Sequence, residues 1–245
     1  MQIYRFASGQ RGRTLAIIEE KSQELLLQRA ARHLCAKIRE VLAVREQVNL
    51  AVPGGRTVAR IFQAMLDEPV DWPRVHFFIL DERLVPIDHP DSNFKLLLDH
   101  LITPLVRAGA VSQENAHPFI LDAASPDSGV GRYERVLAGQ GLRYDIILLS
   151  AGEDGHVGAL FPRHHSLADM HHGFIVMDDS PKPPPERMTS SLSLLRTAQA
   201  AVLLFVGAAK REAFDKFNDA DCQIIDCPAK LVLSMKDAAV FTDLK

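Results

Sequence analysis

The sequence predicts an α/β fold, a three-layer sandwich built on a mostly parallel, Rossmann-like sheet, and three observations carry that expectation. Short aliphatic runs recur at 48–52, 75–80, 145–149 and 201–206, with the continuous apolar character of strands buried on both faces. Helix-forming stretches separate these runs, so strand and helix alternate along the chain. At the carboxyl end of several runs the composition turns abruptly to glycine and charge, which is where open α/β sheets bind ligands.

Taken in order, Met1 to Phe6 reads as a short edge strand. Glu19 to Val44 reads as a long amphipathic helix whose apolar stripe is Leu25, Leu26, Ala30, Leu34, Ile38, Val41 and Leu42. Val48 to Val52 is a strand. Pro53-Gly54-Gly55-Arg56-Thr57 follows it and leads into a helix over Val58 to Leu66. A glycine pair between strand and helix lets backbone N–H groups face an anion, with Thr57 as cap or extra donor and Arg56 as counter-charge, so this loop is a phosphate-site candidate. It is neither a P-loop nor a dinucleotide fingerprint.

Val75 to Leu80 is the next strand, ended by Asp81-Glu82-Arg83-Leu84-Val85-Pro86. So dense a charge cluster is costly to bury unpaired, which places it at the sheet rim with its charges paired or solvated. Asp91-Ser92-Asn93 caps a helix over Phe94 to Leu105. A loop over Asn115 to Pro126 precedes a helix at Ser128 to Leu137, and Asp145 to Leu149 is the central strand. Phe174 to Met177 and Ala201 to Val206 are further strands. Between them the proline-rich Ser180 to Arg187 is an extended, low-entropy segment suited to presenting Lys182 or Arg187. Gly207 begins a helix to about Asn218, with Lys210 in its first turns, and Leu231 to Leu233 and Ala239 to Phe241 supply a helix end and a last strand.

A chain of 245 residues with 47% hydrophobic content is expected to form one domain over 1–245, since no linker divides it. A formal charge of −3, no basic stripe and 7% aromatic residues argue against nucleic acid as a partner. No long apolar span argues for a membrane partner, and the oligomeric state is left open. The absence of a signal peptide and the odd, scattered set Cys35, Cys222 and Cys227 point to a reducing cytoplasm. The partner is expected to be a small molecule.

The chemistry concentrates after the central strand, in Ser150-Ala151-Gly152-Glu153-Asp154-Gly155-His156-Val157-Gly158. Three glycines in seven residues permit positive φ and close backbone approach, while Asp154 and His156 put a carboxylate and an imidazole at the strand end. Histidine suits proton transfer near neutral pH. The paired histidines His164-His165 and His171-His172 lack the regular spacing of a zinc site and are read as structural or solvent-exposed.

Asp81 to Pro86 with Asp91-Ser92-Asn93, Gly152 to His156 with Leu160-Phe161-Pro162, and Ser180 to Arg187 together resemble the 6-phosphogluconolactonase family, within the larger group that includes glucosamine-6-phosphate deaminases. The resemblance covers nearly the whole chain. It implies hydrolysis of 6-phospho-D-glucono-1,5-lactone, a phosphorylated sugar lactone, to 6-phospho-D-gluconate in the oxidative pentose phosphate pathway, with no metal or organic cofactor. His156 then activates water, with Asp154 and Asp81 beside it in the catalytic set. Gly54, Gly55, Arg56 and Thr57 hold the phosphate with Lys182, Arg187 and Lys210, and Asp81 and Arg83 line the sugar-binding part, where either orients or polarises the lactone.

Pro53 stands where the family loop carries its first serine, Val58 where it carries a final proline, and Ser150 where it carries a glycine. Two other functions are consistent with the group: a sugar-phosphate-binding or regulatory protein without turnover, motivated by Pro53 and Ser150, and a deaminase. The deaminase motif continues to a glutamate five residues past the histidine, where this chain has Phe161.

Overall fold

The computed structural model describes residues 14–169 and 171–244, so the strand expected over Met1 to Phe6 lies outside the described residues. It opens with β1 (Thr14–Glu19), a strand the sequence reading did not foresee. The first helix, α1 (Gln23–Leu42), begins later than expected because Ser22 caps it, its hydroxyl accepting from the Leu25 N–H. Leu25, assigned above to the apolar stripe, is 48% exposed, and Leu27 takes its place in the buried face.

Next come β2 (Val48–Val52), α2 (Arg56–Met65), β3 (Val75–Ile79) and the short β4 (Asp81–Arg83). Asn93 to Arg107 is helical throughout, but as α3 (Asn93–Leu97), a π-helical turn over Leu98–Ile102, and α4 (Thr103–Arg107). Pro104 has no N–H to return to the carbonyl four residues back, which accounts for the widened turn ahead of it.

After β5 (Ala116–His117) and α5 (Val130–Gly139) comes the central strand, β6 (Ile146–Ser150). Then follow β7 (Phe174–Met177), β8 (Arg187–Ser190), α6 (Leu192–Leu195), β9 (Ala200–Phe205), α7 (Arg211–Asn218) and β10 (Asp237–Thr242). The stretch at Leu231 to Leu233 lies in a 3₁₀ helix over Pro228–Ser234.

Among the described residues seven strands form one sheet in the order β1-β10-β9-β6-β2-β3-β5, and every neighbouring pair is parallel. Alternation of side chains explains why these strands read as unbroken apolar runs. In β6, Ile146 and Leu148 face one core while Ile147 and Leu149 face the other, and in β9 Val202 and Leu204 oppose Leu203 and Phe205. The first core is covered by α1, α2 and the helix of α3 and α4. The second is covered by α5, α7 and a small antiparallel sheet, β4-β8-β7, giving the three layers.

The connections decide where a ligand can sit. From β2 the chain moves outward to β3 and β5, then returns to β6 on the other side of β2 and proceeds to β9 and β10. The strand order therefore reverses between β2 and β6, and their carboxyl ends flank the crevice that such a reversal opens. Among the described residues no helix is long and apolar enough to cross a membrane.

Candidate active site

A cleft of about 180 Å³ lies at this reversal. Its walls come from the loops the topology brings together: Gly54 and Gly55 after β2, Asp81 and Arg83 of β4, Asn93 at the start of α3, Ser150 to Gly152 and His156 after β6, Arg187 of β8, and Lys210 after β9. The side chains of Arg56, Thr57, Lys182 and Asp154 lie outside these walls. Pro53 and Ser150, the two departures noted from the family loops, are both in them.

The turn after β6 is built around His156. Gly152 N–H donates to the His156 carbonyl at 2.8 Å, and Gly155, at φ +90°, folds the chain back by donating to the Gly152 carbonyl. A Cβ on Gly152 would stand 2.0 Å from His156 Nδ1, so only glycine leaves the imidazole its place. Neighbouring segments lock the turn: Ala151 N–H donates to Leu204, Ala229 N–H to Gly155, and Ala159 N–H to the Thr189 hydroxyl. Cys227 is a buried free thiol packed beneath Gly155.

Within the turn, His156 Nδ1 lies 2.5 Å from Asp154 Oδ1. Burial pushes the Asp154 carboxyl up, but its hydrogen bond to His156 and the imidazole charge outweigh that and hold it well below the usual carboxylate range. An ionised carboxylate only accepts, so Nδ1 carries a proton in either state of the ring, and in the neutral ring the Nε2 lone pair remains for a proton from elsewhere. Phe161, fully buried, packs its ring 4.7 Å from the imidazole.

Opposite stands the acidic pair expected at the rim. Asp81 and Glu82 are instead buried, 5% and 2% exposed, because donors meet them there. Glu82 accepts from the backbone N–H groups of Arg83, Asn93 and Phe94, each at 2.8 Å, and from the Ser92 hydroxyl at 3.0 Å. Asn93 Nδ2 donates to both the Asp81 carbonyl and its carboxylate. Burial pushes the Asp81 carboxyl up, against the pull of Arg83 and Arg187.

Two atoms of this wall are buried without a hydrogen-bond partner, Asp81 Oδ1 and Arg83 Nε. Native proteins seldom leave such atoms unpaired, and both belong to residues that line the cleft. Asn93, read from sequence as a cap, is thus also a wall residue. Its Oδ1 explains Gly54, where a Cβ would come within 1.7 Å of it.

The cationic side is less uniform than expected. The proline-rich segment holds Arg187 at the cleft wall by its carbonyls: the guanidinium donates to those of Lys182, Pro183 and Pro184. Lys210 ends a 3₁₀ turn over Ala208–Lys210, and burial lowers its amine, opposed by Glu153 and Asp154 and aided by the nearby Lys182. Thr57 does not cap α2. Gly55 is the cap residue, no side chain closes the helix start, and no acidic residue occupies its first turn, which leaves the helix amino terminus electrostatically open to an anion.

A family model described as glucosamine-6-phosphate isomerases/6-phosphogluconolactonase matches residues 21–241. The chain is 29% identical over 197 residues to a 6-phosphogluconolactonase of Borreliella burgdorferi, covering 80% of this chain and 84% of that relative. A solved 6-phosphogluconolactonase from Shewanella baltica superposes with a TM-score of 0.80 at 23% identity, over 95% of this chain and 98% of that one. A solved monomeric glucosamine-6-phosphate deaminase superposes at 0.76 and 20% identity, over 92% of this chain and 96% of that one. The fold alone therefore does not separate the two activities.

Proposed function

The chain belongs to the glucosamine-6-phosphate isomerase/6-phosphogluconolactonase family, and from that premise we propose that it hydrolyses 6-phospho-D-glucono-1,5-lactone to 6-phospho-D-gluconate. The observation that carries the reading is the His156–Asp154 pair opening on a cleft whose far wall leaves Asp81 Oδ1 and Arg83 Nε unpaired. Phe161 favours the lactonase over the deaminase. It fills the position of the sister activity's carboxylate with an apolar ring packed on the imidazole.

In the proposed reaction the phosphate rests against Lys210 and the Gly54-Gly55 entrance to α2, with Arg187 and Lys182 adding positive potential. Remote anchoring converts binding energy into orientation of the lactone carbonyl. His156 Nε2 removes a proton from water as the oxygen attacks the carbonyl carbon, and Asp154 compensates the imidazolium charge. In this reading Arg83 donates to the oxyanion, and Asp81 accepts from a sugar hydroxyl. Collapse breaks the bond between the carbonyl carbon and the ring oxygen, which takes the proton back from His156, so water has added across that bond.

Purified protein is expected to accelerate loss of freshly prepared lactone, followed by coupling the product to 6-phosphogluconate dehydrogenase with the spontaneous rate subtracted. It should release no ammonia from glucosamine 6-phosphate. Ammonia release would overturn the Phe161 argument, and phosphosugar binding without either activity would favour a binding protein.

Lys210→Met is expected to weaken 6-phosphogluconate binding by about 1.5–3 kcal/mol, the scale of a hydrogen bond to a charged group. It is a cleaner probe than Arg187, whose guanidinium also holds three carbonyls. Unchanged affinity in calorimetry would place the phosphate elsewhere.

A further inference from the structure

Outside the cleft, His164, His165 and Asp179 come together in a way their spacing in sequence hides. We propose that they form a binding site for a divalent transition-metal cation of the Zn²⁺ type. One ligand atom from each lies within 4.8 Å of the other two, and among the described residues this is the one group of three or more such side chains so arranged. Asp179 Oδ1 is 3.2 Å from His164 Nε2 and 3.0 Å from His165 Nε2. With metal–ligand bonds of about 2.0–2.2 Å, two ligands of a tetrahedral ion stand roughly 3.3–3.5 Å apart. Two edges of the triangle are thus already close to that length.

The His164 ring supplies a second, independent observation. Its Nε2 is buried and makes no hydrogen bond, although it stands 3.2 Å from the carboxylate oxygen. The same oxygen is hydrogen-bonded to His165 Nε2 at 3.0 Å, a bond that an ion held by all three side chains would replace. His164 Nδ1 accepts from the Ser166 backbone N–H at 3.3 Å and lies 3.0 Å from the Ser166 hydroxyl, so binding of an ion at Nε2 would move the ring proton to Nδ1, where that hydroxyl can accept it. Metal-bound histidines are commonly oriented in this way.

Two imidazoles and one carboxylate favour Zn²⁺ and its neighbours over Mg²⁺ or Ca²⁺, which take oxygen ligands. The side chains of His165 and Asp179 are more than half exposed, leaving room for water as a fourth ligand. The bound ion would staple the loop after Phe161 to the start of the segment that carries Lys182 and Arg187. His164 also packs edge-on against Phe161, whose ring lies against His156.

The test is calorimetric titration of the full, untagged, metal-stripped chain with Zn²⁺ alone, together with visible absorption on adding Co²⁺. One Zn²⁺ per chain and the absorption bands of four-coordinate Co²⁺ are expected. His165→Ala and Asp179→Asn, both at exposed positions, should each weaken binding at least tenfold and remove the bands, while His172→Ala should leave both unchanged. Circular dichroism verifies that the variants are folded. Failure of the parent chain to take up Zn²⁺, or equal affinity in parent, His165→Ala and Asp179→Asn, overturns the site. None of these readouts depends on turnover.

Discussion

Replacing His156 by alanine is expected to lower kcat by about 10²–10⁴, the scale of losing a general acid or base, while substrate affinity stays near that of the parent. The reason lies in the division of labour within its turn. The backbone carbonyl of His156 closes the turn onto Gly152, and alanine retains that carbonyl. The imidazole contributes the Nε2 lone pair and the contact with Asp154, so its loss removes the proposed base without removing the scaffold. The phosphate anchoring proposed at Lys210 and the α2 entrance is untouched, hence a fall in kcat with little change in KM. Turnover near that of the parent, in a variant whose circular dichroism is unchanged, would sink the assignment.

The largest expected effect on stability comes from Glu82→Ala. The Glu82 carboxylate accepts three backbone N–H groups and the Ser92 hydroxyl in a buried setting, at the amino-terminal end of α3 where the helix dipole favours an anion. Alanine strands those donors. At about 1–3 kcal/mol for each buried group left unpaired, and with water entering to satisfy some, the loss should be about 3–5 kcal/mol, read from urea unfolding. Glu82→Gln should recover only part of it, because one end of the amide turns donors toward donors. A loss below about 1 kcal/mol in Glu82→Ala would show that water alone serves these N–H groups.

Glu82 also marks the boundary of what the sequence revealed. The strands β2, β3, β6 and β9 were legible because they are buried on both faces and so read as continuous apolar runs. The glycines and charges at their carboxyl ends were legible because close backbone approach requires particular residues. The strand β4 was not, since Asp81-Glu82-Arg83 reads as a rim cluster until the donors of 92–94 and the pairing with β8 are known. Arg187 lines the cleft as the prolines suggested, but its bonds to their carbonyls were not legible, because they depend on how the segment folds back on the guanidinium. Asn93 was visible only as a cap, because its contacts with Asp81 and Gly54 cross from one strand end to another. Asp179 joins the histidine pair across 14 residues of chain, beyond what local spacing encodes.

The strand order carries a consequence for how the chain acquires this structure. β10 is the last strand in sequence but lies inside the sheet, with β1 along one side, from Thr14 opposite Asp237 to Glu19 opposite Thr242, and β9 along the other. Until it is inserted, β1 has no sheet neighbour among the described residues and one side of β9 is open. A chain emerging from the ribosome can assemble the strands around β2 and β6 early, but it must be synthesised past Thr242 before its first described strand is paired. Contacts so distant in sequence slow folding, and the open side of β9 is a template for pairing with other chains during the wait.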